Sequence, residues 1–184
     1  MEKDYTAAFG AILNSYSPIA PSTAALIFES GDLQSFKKNE IVFPEKRYNA
    51  FEYFQLQGIS HRFNTDENQQ ILTTGIDLHA TVITPHFART MNGQSIFSIQ
   101  ALTDCVFVKV PIGTFNEFRE SNLQIRTFGQ RVVEKEFIRN LNSEVIFRSY
   151  SAKERLVFFR ANFPQLENLI PHTVIASFLG ITPV

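Results

Sequence analysis

Between Val82 and Ser98 the chain carries a single Lys or Arg, Arg89, followed by Thr90, Asn92, Gly93, Gln94 and Ser95. One cation among hydroxyls, amides and a glycine is the composition of a ligand loop. Arg89, Thr90, Gln94 and Ser95 are therefore the candidate ligand-binding residues, although an ordinary surface loop has the same composition. His79 and His86 could ligate a metal or haem, but they stand seven residues apart with no carboxylate pattern beside them. Cys105 is the only cysteine, so no disulfide framework can form within the chain, and no set of cysteines can hold zinc or an iron–sulfur cluster. Placed after Asp104 at the head of an apolar run, it reads as strand-end or core filler rather than as a redox sensor. No Ser, His and Asp fall in a hydrolytic order, and no glycine loop suits a phosphate. No enzyme, cofactor or metal is expected.

Contact with DNA is the other chemistry in view, and the run HTVIASFLGITPV (His172–Val184) carries it. Thr173 to Leu179 predicts a short helix. Gly180 suits a left-handed turn, and Thr182-Pro183 suits the cap and first position of another helix. That order is the opening of a helix-turn-helix. Ala176, four residues before the glycine, is small where two crossing helices come close. Thr173 then lies on the supporting helix, which can touch phosphate, and Thr182 opens the helix that would enter the major groove. Most of that reading helix is expected beyond Val184. The 184-residue chain should therefore bind DNA weakly, and a longer parent chain should bind a palindromic site.

Both sets of residues need a frame. With 44% hydrophobic residues and 19 Phe the chain can bury a substantial core. No apolar run approaches the roughly 18 residues of a membrane span. The start, MEKDYTAAFG, lacks the features of a signal peptide, so a cytoplasmic protein without membrane partners is expected. Tyr5, Ala8, Phe9, Ile12 and Leu13 predict a first helix, and a second is expected from about Ser22 to Glu29. From Phe36 short β runs follow with turn punctuation: Glu40–Phe43, Ala50–Gly58, Ile59–Phe63, Ile71–Asp77, Ser95–Leu102 and Cys105–Val110. Many short strands at near-regular spacing predict an antiparallel sandwich or β-roll. His61 reads as a surface residue of its strand.

After Pro111 the period becomes helical. A short helix precedes a long one, expected from about Asn122 to Phe147, with apolar residues on more than one stripe. One stripe can cover the roll. The other, Val133, Phe137, Leu141 and Val145, needs a second partner, and a symmetric copy of itself is the economical choice. Ser151-Ala-Lys-Glu154 is a capping box opening the next helix. Residues 1–118 hold 8 Lys/Arg against 12 Asp/Glu, and residues 119–184 hold 9 against 6. That split fits a nucleic-acid-facing back half, and also chance variation on solvated faces.

This order of elements resembles the CRP/FNR family of bacterial transcription regulators. Three stretches carry the resemblance: Phe36–Phe63 with Gly58 at its turn, Ser98–Pro111, and Ser151–Pro183, where IASFLGITP is the most characteristic run. The resemblance implies an α+β fold: a jelly-roll-like β-roll sensor over residues 1–118, a dimerisation helix over 119–148, and an incomplete helix-turn-helix region over 149–184. It also implies a homodimer, double-stranded DNA as partner of the full-length protein, and a small-molecule effector. One departure stands out. The family's cyclic-AMP cassette holds a Gly-Glu pair and a later Arg, whereas this chain lacks the pair and has Ser95 where the Arg is expected. Arg89 comes six residues early, so cyclic AMP is not the expected effector. A stand-alone dimeric ligand-binding or interaction module is the alternative. A metalloenzyme on a cupin roll is a third reading, but two His separated by one residue, with a Glu shortly after, are missing.

Overall fold

The structure, a computed structural model, describes residues 5–181. Thr182 and Pro183, expected to open the reading helix, lie outside the described residues. Two helices, α1 (Tyr5–Asn14) and α2 (Pro21–Glu29), come first. Asn14 closes α1 by donating to Gly10 O at 2.9 Å and accepting from Ile19 N at 3.0 Å, so the breaker also steers the chain into α2. Ten strands follow in part or whole as a roll: β1 (Asp32–Phe36), β2 (Ile41–Phe43), β3 (Phe51–Gln57), β4 (Ser60–Thr65), β5 (Ile71–Asp77) and β6 (Thr81–Val82). A single helical turn, α3 (His86–Arg89), leads into the small hairpin β7 (Thr90–Met91) and β8 (Gln94–Ser95), then β9 (Ser98–Ala101) and β10 (Cys105–Pro111).

Two antiparallel four-stranded sheets result, ordered β1-β10-β3-β6 and β2-β9-β4-β5. Alternation along β10 explains the layering. Cys105 and Phe107 point between the sheets with Phe43, Tyr53 and Ile99, while Val106, Val108 and Val110 face outward. That outer face is apolar because it is covered, by α1, α2, α4 (Ile112–Ser121) and the first turns of α5 (Leu123–Ser149). The β3–β4 turn needs Gly58, at φ 92°, since an added Cβ would come within 2.4 Å of Asp104 O.

Two strand expectations require correction. The sequence pattern begins the β runs at Phe36, yet β1 lies before it; four of its five residues are exposed, so it shows no alternation, and its pairing with β10 defines it. The strand expected over Ser95–Leu102 is two strands. Ser95 bonds Lys46 N and Arg47 O, and the chain then changes partners before β9 begins.

Asn122 caps α5 by accepting from Gln124 N at 2.9 Å. The predicted capping box opens α6 (Ala152–Asn162), and α7 (His172–Leu179) ends at Gly180 with φ 60°. α6 and α7 fold back on the roll: Phe159, Ile175 and Leu179 meet Ile59, Ile76 and Leu102. Ser177 Oγ accepts from Thr73 N at 2.8 Å and donates to Ile71 O at 3.0 Å, so α7 satisfies part of the free edge of β5. Ala176 is buried and Phe178 contacts Phe147 and Phe159, so these residues already have partners within the described chain.

Candidate ligand site and helix coupling

The four candidate ligand residues lie together in sequence but do not form one open cluster. Arg89 ends α3 and turns inward, wholly buried. Its guanidinium carbon lies 5.1 Å from the Phe43 ring centre and 5.0 Å from that of Tyr53. Nη2 donates to Phe51 O, while Nε and Nη1 have no hydrogen-bond partner. Burial pushes this pKa down, and nearby Glu52 pulls it back up. Thr90 Oγ1 donates to His86 O at 2.7 Å. Ser95 Oγ is buried and accepts from Asn49 Nδ2 at 3.0 Å. Only Gln94 is exposed, on the hairpin strand β8.

His61 needs correction as well. It is buried, its ring nitrogens 3.1 Å from Thr73 Oγ1 and 3.1 Å from Gln100 Oε1, and burial pushes its pKa down. Side chains of the two flanking strands, Thr73 and Gln100, close on the ring, which alternation alone does not reveal. Cys105 is buried at its strand end. Among the described residues no group of three His, Cys, Asp or Glu could hold a metal, and no helix is long and apolar enough to cross a membrane.

An ionic cluster that the sequence reading did not anticipate joins the roll to α5. Arg62, on β4, lies with Nε 3.1 Å from Asp77 Oδ2 and Nη1 2.9 Å from Glu136 Oε1. Its Nη1 also donates to Thr84 Oγ1 at 2.6 Å, and Thr84 donates to Glu136 at 3.0 Å. Arg139, one turn along α5, pairs with Glu136 at 2.8 Å and with Asp77 at 3.3 Å. Two guanidiniums thus face two carboxylates, and the formal charges cancel. Complete burial pushes the Asp77 carboxyl up, with Arg62 pulling it down. The one local sign of this cluster is Gly75. A Cβ there would lie 2.6 Å from Arg62 Nε, so the glycine opens the path of the arginine across β5.

Beyond this cluster the side of α5 facing away from the roll is bare. Val133, Phe137, Leu141 and Val145 are 38%, 61%, 46% and 57% exposed. Thr173 is exposed in the first turn of α7.

No protein-family model matches this sequence, and no curated protein matches it. Solved structures match it in fold. FixK2 from Bradyrhizobium japonicum has a TM-score of 0.70 at 15% identity, over 83% of this chain and 78% of that one. CLP, a c-di-GMP-responsive global regulator from Xanthomonas campestris, has 0.71 at 9% identity, over 89% and 86%. A CRP/FNR-family transcriptional regulator from Eubacterium rectale has 0.70 at 15% identity, over 92% and 82%. The chain has the α+β fold that these structures share, β-roll included.

Proposed function

We propose that this chain is the sensing and dimerising part of a DNA-binding transcription regulator, with a β-roll that responds to a small molecule other than cyclic AMP. The observation that carries the reading is a fold match over 83%, 89% and 92% of this chain and 78%, 86% and 82% of the matched chains, more than the roll alone accounts for. Regulation rather than catalysis accounts for that layout. The exposed stripe Val133, Phe137, Leu141 and Val145 supports dimerisation, because four apolar side chains on one helix face favour a second copy. Thr173 would meet phosphate, and a reading helix expected from Thr182, which lies outside the described residues, would read bases. A signal at the roll would reach the helices through the Arg62–Glu136 contact, shifting the dimer between DNA-competent and incompetent arrangements. Ser95 argues against cyclic AMP: it supplies a hydroxyl, already bonded to Asn49, where a cyclic phosphate needs a cation.

Light scattering at tens of micromolar, roughly where a buried helical seam should hold, should give a dimer, and Phe137→Glu should give monomer or aggregate. A gel shift at fixed salt, run on residues 1–184 and on the chain extended to the natural stop codon, should show sequence-specific binding by the full gene product. Monomeric wild type would remove the dimer. A dimer whose extended chain ignores DNA would favour the stand-alone module, and micromolar calorimetric binding of cyclic AMP would refute the effector assignment.

A further inference from the structure

A cleft of about 330 Å³ opens on the outer side of the roll, between α3, α4 and α5. It is separate from the roll interior and from the ionic cluster. Phe54, Phe87, Phe115 and Phe128 line it, Glu52 belongs to its wall beside α3, and Arg119 and Arg126 contribute the cations. A cavity of this size, aromatic with a few convergent polar groups, has the make-up of a small-molecule site.

Three features of the cleft lack a purely structural reason. Phe87 leaves 58% of its surface in water, on the single helical turn α3. Gly129 stands inside α5, where alanine would be better by about 1 kcal/mol. No clash requires the glycine, since the nearest atom to an added Cβ is Arg119 Cδ at 3.5 Å. What it supplies is room. Finally, among the described residues the Arg119 guanidinium donates no hydrogen bond and makes no ion pair within the chain, whereas Arg126 Nη2 is spent on Glu120 O at 2.7 Å.

We propose that this cleft binds an amphipathic carboxylate, an aryl or medium-chain acyl acid whose apolar body lies against exposed Phe87, over a floor backed by the buried rings of Phe54, Phe115 and Phe128, and whose carboxylate pairs with Arg119. The charge balance favours an anion, because two guanidiniums face a single carboxyl. Glu52 opposes it little. Its oxygens accept from His86 N at 3.0 and 3.1 Å, and burial pushes its pKa up to about 7. A planar guanidinium with free donors matches a carboxylate in a two-point contact, whereas a phosphate leaving water would want several more donors than the cleft offers. Burial of a six- to eight-carbon body against the rings supplies the remaining affinity.

The test is titration calorimetry on the 184-residue chain with octanoate and 3-phenylpropanoate, using octanol and octylamine as neutral and cationic controls. At least one acid should bind saturably at one site per chain, more tightly than either control. Arg119→Gln should weaken it about tenfold or more, the loss expected of one charge-assisted contact. Gly129→Leu, which fills the cleft with a better helix former, should abolish binding while thermal unfolding stays near wild type. Absence of saturable binding by both acids overturns the proposal. So does binding that both variants leave unchanged, or octanol or octylamine binding as tightly as the acids. Should Gly129→Leu fail to fold, Arg119→Gln still decides, because the Arg119 side chain is exposed and, among the described residues, holds no hydrogen bond or ion pair. Val133 borders the cleft as well as belonging to the proposed seam, so the titrations are read per chain in the dimer; none of them depends on DNA binding.

Discussion

Arg62 and Arg89 are both buried arginines of the roll, and the protein meets their charge in different ways. Arg89 is held locally. Two rings flank it, one backbone carbonyl accepts from it, and Glu52 acts on it through space. Arg62 is held by residues from three places, and Glu136 comes from 74 residues away on α5. The difference has a mechanical meaning. A stacked guanidinium stabilises its own neighbourhood, whereas a shared ion cluster ties two elements together and fails if either moves. Of these two arginines, it is Arg62 that ties the long helix to the roll.

The largest expected effect comes from breaking that cluster. Arg62→Met leaves Asp77 wholly buried without its main counter-charge, and removing one partner of a buried pair costs about 3–5 kcal/mol. Urea unfolding should show a lower midpoint at unchanged slope. A loss below about 1 kcal/mol would mean that Arg139 neutralises Asp77 by itself, and the contrast between the two arginines would shrink accordingly.

Next in size is a pH dependence at the Arg89 side. Glu52 is pushed from its usual 4.5 up to about 7, mainly by burial, with Arg89 and Arg119 pulling it down. A carboxyl raised on folding binds a proton that the unfolded chain releases. Its stabilising contribution is complete below about pH 4.5, falls as pH rises towards about 7, and is absent above that. The full span is about 3 kcal/mol, order of magnitude only. Glu52→Gln should remove that slope in unfolding curves across the window. An identical slope in the variant would assign the titration to another buried acid, Asp77 first.

The smallest effect should be Arg89→Met. An apolar chain of similar length fits between Phe43 and Tyr53, and losing an incompletely bonded buried charge offsets the lost contact to Phe51 O, leaving stability within about 1 kcal/mol of wild type. Glu52, deprived of its attracting cation, should be pushed further up, moving the end of the pH slope higher. A drop as large as that of Arg62→Met would show that the two sites are not different in kind.

How much of this was legible varies residue by residue. Gly58, the Ser151 capping box and Gly180 were readable because each is fixed by local geometry. The exposed stripe of α5 was readable from helical period. β1 was not, since an edge strand without alternation is defined by its partner. Arg89 was found as the lone cation of its loop, yet nothing nearby indicates that its side chain turns inward to the rings of β2 and β3. For the ionic cluster Gly75 was the only mark, and a single glycine in a strand does not say which side chain needs the space.

By itself, then, the sequence determined the order of helices and strands, the turns that require particular residues, and the apolar faces that need cover. These depend on neighbours within a few positions, and the 2.0 and 3.6 periods make them visible. The tertiary structure alone decided which charges meet, that α7 rests on the edge of β5, and that a cleft remains between α3, α4 and α5. Those outcomes depend on side chains brought together from opposite ends of the chain, where burial sets the strength of each interaction and no local pattern encodes the partner.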